Sequence, residues 1–219
     1  MKLLFLSVIL MMTACKSEKA ENAVVGEAKE AAKDMMGKSF SVDNATSKVT
    51  WTGNKPAGSH TGTIDVSTGT LTVKDGNITA GDFTLDMNTI SSTDLEGDMK
   101  AGLEAHLKGQ RKPEEVDDFF NVGKYPTAKF AITKVTKLVN DPDATHLVYG
   151  NLTIKEVTKE LGIKAKLDIS DAGVNVSTPE FSINRTEWGI QFMSKNFFDN
   201  LKDNFINDDI QLSIALNAK

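Results

Sequence analysis

Three histidines and one cysteine are the side chains of this 219-residue sequence that could bind a metal through nitrogen or sulfur. His60, His106 and His146 are widely spaced and form neither a His-x-x-x-His nor a His-Glu-x-x-His motif. A zinc site normally takes three or four imidazole, thiolate or carboxylate ligands. Cys15 lies at the end of an apolar N-terminal run and leaves no thiolate for a folded domain. The sequence therefore predicts no metal site.

Sequence motifs for nucleophilic or phosphate chemistry are also missing. The sequence has no Gly-x-Ser-x-Gly elbow, no glycine-rich phosphate loop and no nucleophile placed beside a base in a known motif. The carboxylate pairs Asp117-Asp118 and Asp208-Asp209 are adjacent in sequence, and we interpret them as solvated rather than catalytic. The prediction is that the protein is not an enzyme, and a lipid hydrolase or isomerase is the least favoured alternative.

Arg185 is a candidate contact for the polar part of a ligand. It follows Phe181 and Ile183 at strand spacing, which predicts that the three side chains share an inward face. An arginine that points inward must meet a carboxylate or an anionic ligand, because an unpaired buried charge is costly. Asp118 and Asp199 are the expected structural partners, and a ligand role is the alternative.

His60 is a second polar candidate. It lies in a predicted strand between the small residues Gly58-Ser59 and Thr61-Gly62, where the backbone can approach another group closely. One interpretation is a buried, hydrogen-bonded histidine. The other is a contact with the polar head of a ligand, and the sequence does not decide between them.

Aromatic residues are the remaining candidates for ligand contact. The chain has 11 Phe, 2 Trp and 2 Tyr. An eight-stranded barrel either fills its interior with such side chains or leaves a cavity for one apolar ligand. Sequence alone leaves both outcomes open. The aromatic candidates are Trp51, Phe83, Phe119, Phe120, Tyr125, Phe130, Phe181 and Trp188.

Residues 1–15 predict a lipoprotein signal peptide. Lys2 gives a positive charge, Leu3 to Met12 is an apolar run too short to cross a bilayer, and small residues precede Cys15. Met-Thr-Ala-Cys resembles the lipobox of bacterial lipoproteins, whose cysteine is acylated. A plain secretory signal is the alternative, but a single cysteine has no disulfide partner. We expect lipid attachment at Cys15 and a membrane-anchored protein of the cell envelope, on the periplasmic side or at the outer membrane.

Residues 16–38 are rich in Ala, Glu and Lys, with Val24-Val25 as the only aliphatic pair. This composition predicts a flexible tether, helical at most transiently. A membrane-surface helix is less favoured, because the charges are mixed and the apolar face is thin. The whole chain has a net charge of -5 and no basic stripe, which argues against a nucleic-acid partner.

From residue 39 onward, apolar and polar residues alternate, as in strands with one buried and one wet face. No helical crossovers separate these segments, so the sequence predicts one all-β domain over residues 39–219. The expected architecture is a lipocalin-like antiparallel barrel of about eight strands, with an open sandwich as the alternative. The clearest alternating segments are Phe40 to Val42, Lys48 to Thr52, Phe83 to Met87, Leu161 to Ile169 and Ile210 to Leu216, and turns are expected at 75–77, 140–143 and 170–173.

One or two short helices are expected to interrupt the strands. Leu95, Met99, Leu103 and Leu107 recur every four residues, and Thr93 or Asp94 could cap the start of an amphipathic helix there. A second helical turn is predicted near the C-terminus, at Phe197, Phe198 and Leu201. In a closed barrel, such pieces cover or plug an end.

Four motifs in this order resemble the YceI family of periplasmic, lipocalin-like proteins, from about Phe40 to Ala218. The resemblance implies an antiparallel barrel whose apolar interior holds a polyisoprenoid or a fatty-acid-like chain. The motifs are Trp51-Thr52-Gly53 with Gly58 to Ile64, Ala105-His106-Leu107-Lys108 with Asp118 to Phe130, Gly150 to Lys159, and Ile183 to Ile190.

The chain departs from the family pattern in three places. Glu156 stands where a glycine is usual, Glu160 stands where a proline is usual, and residues 109–117 are an insertion. The two substitutions are expected to alter a hairpin, and the insertion could reshape the mouth of the barrel.

The main functional prediction is a membrane-tethered protein that binds or carries one long-chain isoprenoid or other lipid, with no cofactor. His60 or Arg185 would select the head of the ligand. The rival prediction is a lipoprotein with a filled barrel that binds protein partners through residues 109–117. The sequence does not predict an oligomeric state.

Overall fold

The computed structural model describes residues 20–219. Cys15, the predicted signal peptide and the first residues of the predicted tether lie outside this part of the chain. Twelve strands and one α-helix form in it. The strands are β1 Glu21–Asn22, β2 Val24–Glu27, β3 Lys38–Ser41, β4 Lys48–Lys55, β5 Gly58–Lys74, β6 Asn77–Ser92, β7 Thr127–Lys137, β8 His146–Ile154, β9 Val157–Ser170, β10 Gly173–Ser177, β11 Phe181–Asn184 and β12 Asp209–Ala218, and the helix is α1 Gly97–Lys108.

Eight of these strands form a closed ring in which every neighbouring pair is antiparallel. Strands β4 to β10 pair in sequence order, β10 pairs with β12, and β12 pairs with β4. The prediction of a lipocalin-like, all-β barrel of about eight strands is confirmed. The predicted turns at 75–77, 140–143 and 170–173 all lie between strands.

Alternation along each strand fixes which residues face the interior. In β9, Ala165 and Leu167 are buried, whereas Lys166 and Asp168 are exposed. Successive side chains of a strand point to opposite faces of the sheet, so one register places every apolar residue of the run inside. The same arrangement in the other long strands creates the three apolar clusters of the barrel interior.

Helix α1 confirms the predicted amphipathic helix, but its start differs from the prediction. Leu103 and Leu107 pack on the interior cluster, whereas Met99 is exposed. Glu96 occupies the N-cap without a side-chain hydrogen bond, so neither Thr93 nor Asp94 caps the helix. The Asp94 carboxylate instead accepts hydrogen bonds from the backbone N–H of Thr61 and the hydroxyl of Ser92.

The second predicted helical turn is wrong in position. Residues 197–201 form turns and bends rather than a helix, and Phe197 and Phe198 are exposed. A short 3₁₀ helix lies earlier, at Arg185–Trp188, and another lies at Pro113–Glu115 within the insertion. None of the helices in residues 20–219 has both the length and the apolarity needed to cross a bilayer.

The predicted flexible tether is wrong for the part of it that the structure describes. Strand β1 pairs in parallel with β11, and β2 pairs antiparallel with β9. Beyond them, the backbone N–H of Ala32 donates to the carbonyl of Ile132, and the hydroxyl of Thr79 donates to the carbonyl of Asp34. The segment therefore lies on the barrel wall, because its backbone finds unpaired strand edges and carbonyls there.

Two hairpins of the barrel have the same backbone shape but different residues. Asp75 and Gly76 join β5 to β6 with φ angles of 51° and 71°. Lys155 and Glu156 join β8 to β9 with φ angles of 50° and 79°. Two consecutive positive φ angles are the geometry that favours glycine at the second position. Glu156 occupies that position at a steric cost, and it is where the resemblance to the family expects glycine.

We predict that Glu156→Gly raises the free energy of unfolding by about 1 kcal/mol, because glycine adopts the left-handed conformation without the Cβ clash. The hydrogen bond from the Tyr125 hydroxyl to Glu156 is long, at 3.3 Å, and exposed, so its loss should change the free energy of unfolding only slightly. Urea unfolding followed by circular dichroism measures the change. Gly76→Glu in the matching hairpin is the reverse control and should destabilise by a similar amount. Equal stability of Glu156→Gly and the parent protein would contradict the argument.

Candidate functional site: an apolar cavity inside the barrel

Side chains from the inner faces of the barrel strands do not fill the interior. They enclose a cavity of about 220 Å³. Apart from the two tryptophans, the lining residues with polar side chains are Thr178 and Arg185. Aliphatic side chains, such as Leu161, Ile163 and Leu212, form most of the wall. Of the two outcomes that the sequence left open for the barrel, the structure has the cavity.

Seven of the eight aromatic candidates line this cavity. Phe119 and Phe120 reach it from the segment that follows the insertion, and Trp188 reaches it from the 3₁₀ helix after β11. Trp188 is 1% exposed, and its indole N–H donates to the carbonyl of Leu152 at 3.1 Å. The aromatic lining residues are Trp51, Phe83, Phe119, Phe120, Phe130, Phe181 and Trp188.

Two glycines allow large rings to lie against the barrel wall. Gly62 is the register partner of Trp51, and a Cβ at Gly62 would overlap the indole ring. A Cβ at Gly150 would likewise overlap the ring of Phe130 on the neighbouring strand. A strand glycine commonly marks such a close approach. The rings occupy the space left by the missing side chains, which helps to keep the middle of the barrel open.

Arg185 lines the cavity, but its guanidinium group is already satisfied by the protein. The side chain is 4% exposed and donates to the carbonyls of Asn207, Ile190 and Ile206 at 3.1, 2.9 and 3.1 Å. Its carboxylate partner is Asp208, at 3.4 Å, so the predicted partners Asp118 and Asp199 are wrong. Burial lowers the pKa of Arg185, and the nearby Asp208 charge opposes this effect.

Arg185 therefore organises the chain around it. Residues 190 and 206–208 belong to the long connection between β11 and β12, and the guanidinium group ties both ends of that connection together. Sequence reasoning could place this arginine inward but could not see that carbonyls of its own connection would surround it.

The other polar atoms near the cavity offer little to a charged ligand. The hydroxyl oxygen of Thr178 accepts a hydrogen bond from the backbone N–H of Ile214 at 2.9 Å. The indole nitrogen of Trp51 is buried and has no hydrogen-bond partner within the described residues. Charge is thus confined to Arg185, which is neutralised locally. A wall of this chemistry suits a hydrocarbon chain and disfavours an ion.

His60 does not contribute to the cavity lining. Its ring nitrogen Nδ1 lies 2.9 Å from a carboxylate oxygen of Asp94, and its side chain is 30% exposed. It is therefore hydrogen-bonded, as one interpretation expected, but not buried. Burial raises the pKa of Asp94, but hydrogen bonds from His60, Ser92 and the Thr61 N–H outweigh this effect and lower the pKa to about 2. The pair fastens the start of β5 to the segment before α1.

Tyr125 is the other candidate that lies outside the lining. Its hydroxyl donates to Glu156, and the ammonium groups of Lys124 and Lys155 lie 4.8 and 6.0 Å from the centre of its ring. Tyr125 thus lies on the polar outer surface of the barrel, next to the β8–β9 hairpin. Tyr125 lies between the turn at 122–124 and the start of β7, outside any strand, so strand spacing gave no reliable facing for this residue.

A histidine–carboxylate pair that the sequence did not single out positions the aromatic lining. His106 on α1 lies 2.8 Å from Asp118, and its ring packs edge-on against Phe119 and Phe192 at 5.1 Å each. This pair joins the helix to the segment that carries Phe119. The expectation that Asp118 and Asp208 are simply solvated is wrong. Asp118 pairs with His106, and Asp208 pairs with Arg185. The spacing of His106 and Asp118 in the sequence did not predict their contact, because the insertion 109–117 lies between them.

We predict that Arg185→Ala lowers the free energy of unfolding by about 3 kcal/mol, because one buried carbonyl, two part-buried carbonyls and Asp208 lose their donor. Arg111→Ala is the matched control, since Arg111 is exposed and pairs with Glu115 at the surface, where a pair contributes less than about 1 kcal/mol. Thermal and urea unfolding measure both. A loss of stability in Arg185→Ala no larger than in Arg111→Ala would contradict this role.

The barrel is similar in fold to solved structures of bacterial proteins. Burkholderia cenocepacia BcnA matches with a TM-score of 0.61 and 19% identity, covering 81% of this chain and 99% of that protein. A polyisoprenoid binding domain from Saccharophagus degradans, implicated in plant cell wall breakdown, matches with a TM-score of 0.59 and 12% identity, covering 87% of this chain and 99% of that domain.

Curated relatives match over shorter stretches. Protein YceI of Escherichia coli is 35% identical over 106 residues, 48% of this chain and 48% of that protein. A UPF0312 protein of Pseudomonas paraeruginosa is 52% identical over 50 residues, 23% of this chain and 24% of that protein. The chain thus matches 48% and 24% of the length of these two relatives. Residues 40–218 match the YceI-like domain. With its closed barrel, apolar cavity and matching sequence, the chain belongs to the YceI-like family.

Proposed function

We propose that this protein is a membrane-anchored lipoprotein of the cell envelope that binds or carries one long-chain isoprenoid or other lipid inside its barrel. The observation that carries the proposal is the cavity inside the barrel, whose wall is almost entirely hydrocarbon. Each CH₂ group transferred from water into such a site contributes about 0.8 kcal/mol, so a long chain binds through apolar contact alone. The polyisoprenoid-binding description of the Saccharophagus degradans domain supports the choice of ligand class.

The geometry revises the part that we expected polar residues to have. Arg185 is satisfied by carbonyls and Asp208, and His60 lies outside the cavity lining. Neither is therefore available to select a head group as predicted. We propose that the cavity selects for an apolar chain and that the head of the ligand stays at an end of the barrel, in contact with water.

The alternative of a filled scaffold that binds proteins through residues 109–117 gains no support. The interior is open, and the large apolar side chains exposed in the described residues all lie outside that loop. Within the loop, Arg111 and Lys112 pair with Glu115, so its charges are partly satisfied internally.

Blocking the cavity should abolish lipid binding. Ala128 and Ala131 lie on the same strand, β7, but only Ala128 lines the cavity. We predict that Ala128→Phe weakens the binding of a fluorescent polyene fatty acid at least tenfold, because the new ring takes the space of the chain. Ala131→Phe is the matched control and should bind as the parent does. Fluorescence titration measures both affinities, and circular dichroism checks folding. Undiminished binding by folded Ala128→Phe would refute a site in this cavity.

Anchoring depends on Cys15 and is tested separately. We predict that the full chain fractionates with membranes and carries an acylated Cys15, because several acyl chains hold a protein stably on a bilayer. The Cys15→Ala form should move to the soluble fraction. Cell fractionation with mass spectrometry of the mature N-terminus is the measurement, and Ser17→Ala is the control. A Cys15 without added lipid mass would remove anchoring from the proposal and leave the cavity unaffected.

A further inference from the structure

The barrel wall has a gap that residues 21–27 fill, and we call these residues the seam strand. Strand β10 pairs with both β9 and β12, but it ends at Ser177. Pro179 follows within the break before β11, which pairs with β12 but not with β9. Proline lacks the N–H that a continuing ladder needs. Beyond the break, the first residues of β9 and all of β11 therefore face each other across a gap.

The seam strand pairs with both sides of this gap. Glu21 and Asn22 pair in parallel with Phe181 and Ser182 of β11. Residues 24–27 pair antiparallel with residues 162–159 of β9. One inserted strand corresponds to two inter-strand spacings, or about 9.6 Å between β9 and β11. Without the seam strand, this opening in the wall would have no backbone across it.

The seam strand also covers the residues that line the cavity. Ala23 and Val25 pack on the cluster that contains Leu161, Phe181 and Trp188. All three of these side chains line the cavity. A single layer of side chains thus separates the seam strand from the proposed ligand.

Ion pairs hold the seam strand and the residues after it to β9. Glu27 pairs with Lys159 at 2.9 Å, and Glu21 pairs with Lys164 at 2.8 Å, both near the surface. The third pair joins Lys29 to Glu160 at 2.6 Å, and the Glu160 side chain is 8% exposed. Thr133 also donates to Glu160 at 2.7 Å. Glu160 is the residue that stands where the family pattern has proline.

The attachment of this segment is weaker than that of the barrel strands. β1 and β2 are two and four residues long, Val24 is exposed, and Gly26 adds no packing. Elements with few buried apolar contacts open locally at a lower free energy than the core does. The eight-stranded ring stays closed through β10 when the seam strand leaves, because no ladder of that ring includes residues 21–27.

We propose that the seam strand is a lateral gate, and that its release from β9 lets a lipid chain pass between the cavity and a bilayer surface. This inference rests on the proposed lipid-binding function, and an anchor at Cys15 would add proximity to a bilayer. Five residues lie between Cys15 and Glu21, so the two are six residue steps apart and at most about 22 Å from each other when the chain is fully extended. An anchor this close to the gate would keep the opening next to the lipid headgroups.

A disulfide across the gate provides the test. The full chain with Cys15→Ser carries no other cysteine, so Glu27→Cys with Lys159→Cys gives one pair of thiols on directly opposed residues. Lys48→Cys with Asp65→Cys is the matched control, because these residues are also opposed and ion-paired, but on β4 and β5 of the ring. The readout is the rate at which a fluorescent polyene fatty acid moves from phosphatidylcholine vesicles into each oxidised protein.

We expect the oxidised seam pair to slow this transfer at least tenfold and dithiothreitol to restore it, whereas the control pair leaves the rate unchanged. Equal rates for the oxidised and reduced seam pair would overturn the gate and leave the lipid-binding proposal standing. Failure of the parent chain to take up the probe from vesicles or from solution would overturn both.

A second variant tests the gate in the opposite direction and without a disulfide. Glu160→Gln removes the charge that holds Lys29, so the gate should open more often and transfer should become several-fold faster. Glu30→Gln is the control, because Glu30 is exposed and its ion pair within residues 20–219 is with Lys33 of the same segment. A transfer rate for Glu160→Gln equal to that of Glu30→Gln would contradict a gate held by this contact.

Discussion

Closure of the barrel around an interior that side chains do not fill is the constraint on which the rest of this structure depends. The ring closes only where the five residues of β10 pair with β9 on one side and with β12 on the other. Beyond Ser177, β10 no longer joins β9 to β12, and residues 21–27 complete the sheet there. The same break makes room for Arg185 and Trp188, which hold the end of the barrel through carbonyls of the β11–β12 connection and of Leu152.

This arrangement separates stability from ligand binding. Most polar groups at the cavity are used inside the protein: Arg185 donates to carbonyls and Trp188 donates to the carbonyl of Leu152, whereas the indole nitrogen of Trp51 has no partner in the described residues. The cavity wall is then left with hydrocarbon and aromatic surface, for which the length and shape of a chain matter more than its charge. Burial raises the pKa of Glu160, but hydrogen bonds from Lys29 and Thr133 outweigh this effect, and its pKa lies below the ordinary value of 4.5. Glu160 thus stays ionised and keeps Lys29 bound until the pH falls below that value and through the lowered pKa.

The strands, their inward faces and most of the cavity lining could be predicted, because alternation and aromatic content are local properties of the sequence. Strand β9 and seven aromatic candidates show this. What could not be predicted depended on contacts between distant residues. One example is the pairing of Arg185 with Asp208. Another is Asp94, which accepts a hydrogen bond from the Thr61 N–H rather than capping the helix. The seam strand was missed because its composition is that of a tether, and only the Val24-Val25 pair hinted at a strand. Its pairing depends on the break between β10 and β11, which contains Pro179 and lies some 150 residues later.

The most direct test of a lipid inside the barrel is native mass spectrometry of the full chain, purified from cells without detergent. Because residues 20–38 complete the wall, a form that starts at residue 39 would not be a fair sample of the cavity. The account predicts a complex that exceeds the mass of the protein by one long-chain lipid, which collisional activation releases. A folded protein that carries no added mass, and gains none on incubation with isoprenoid alcohols or fatty acids, would contradict it.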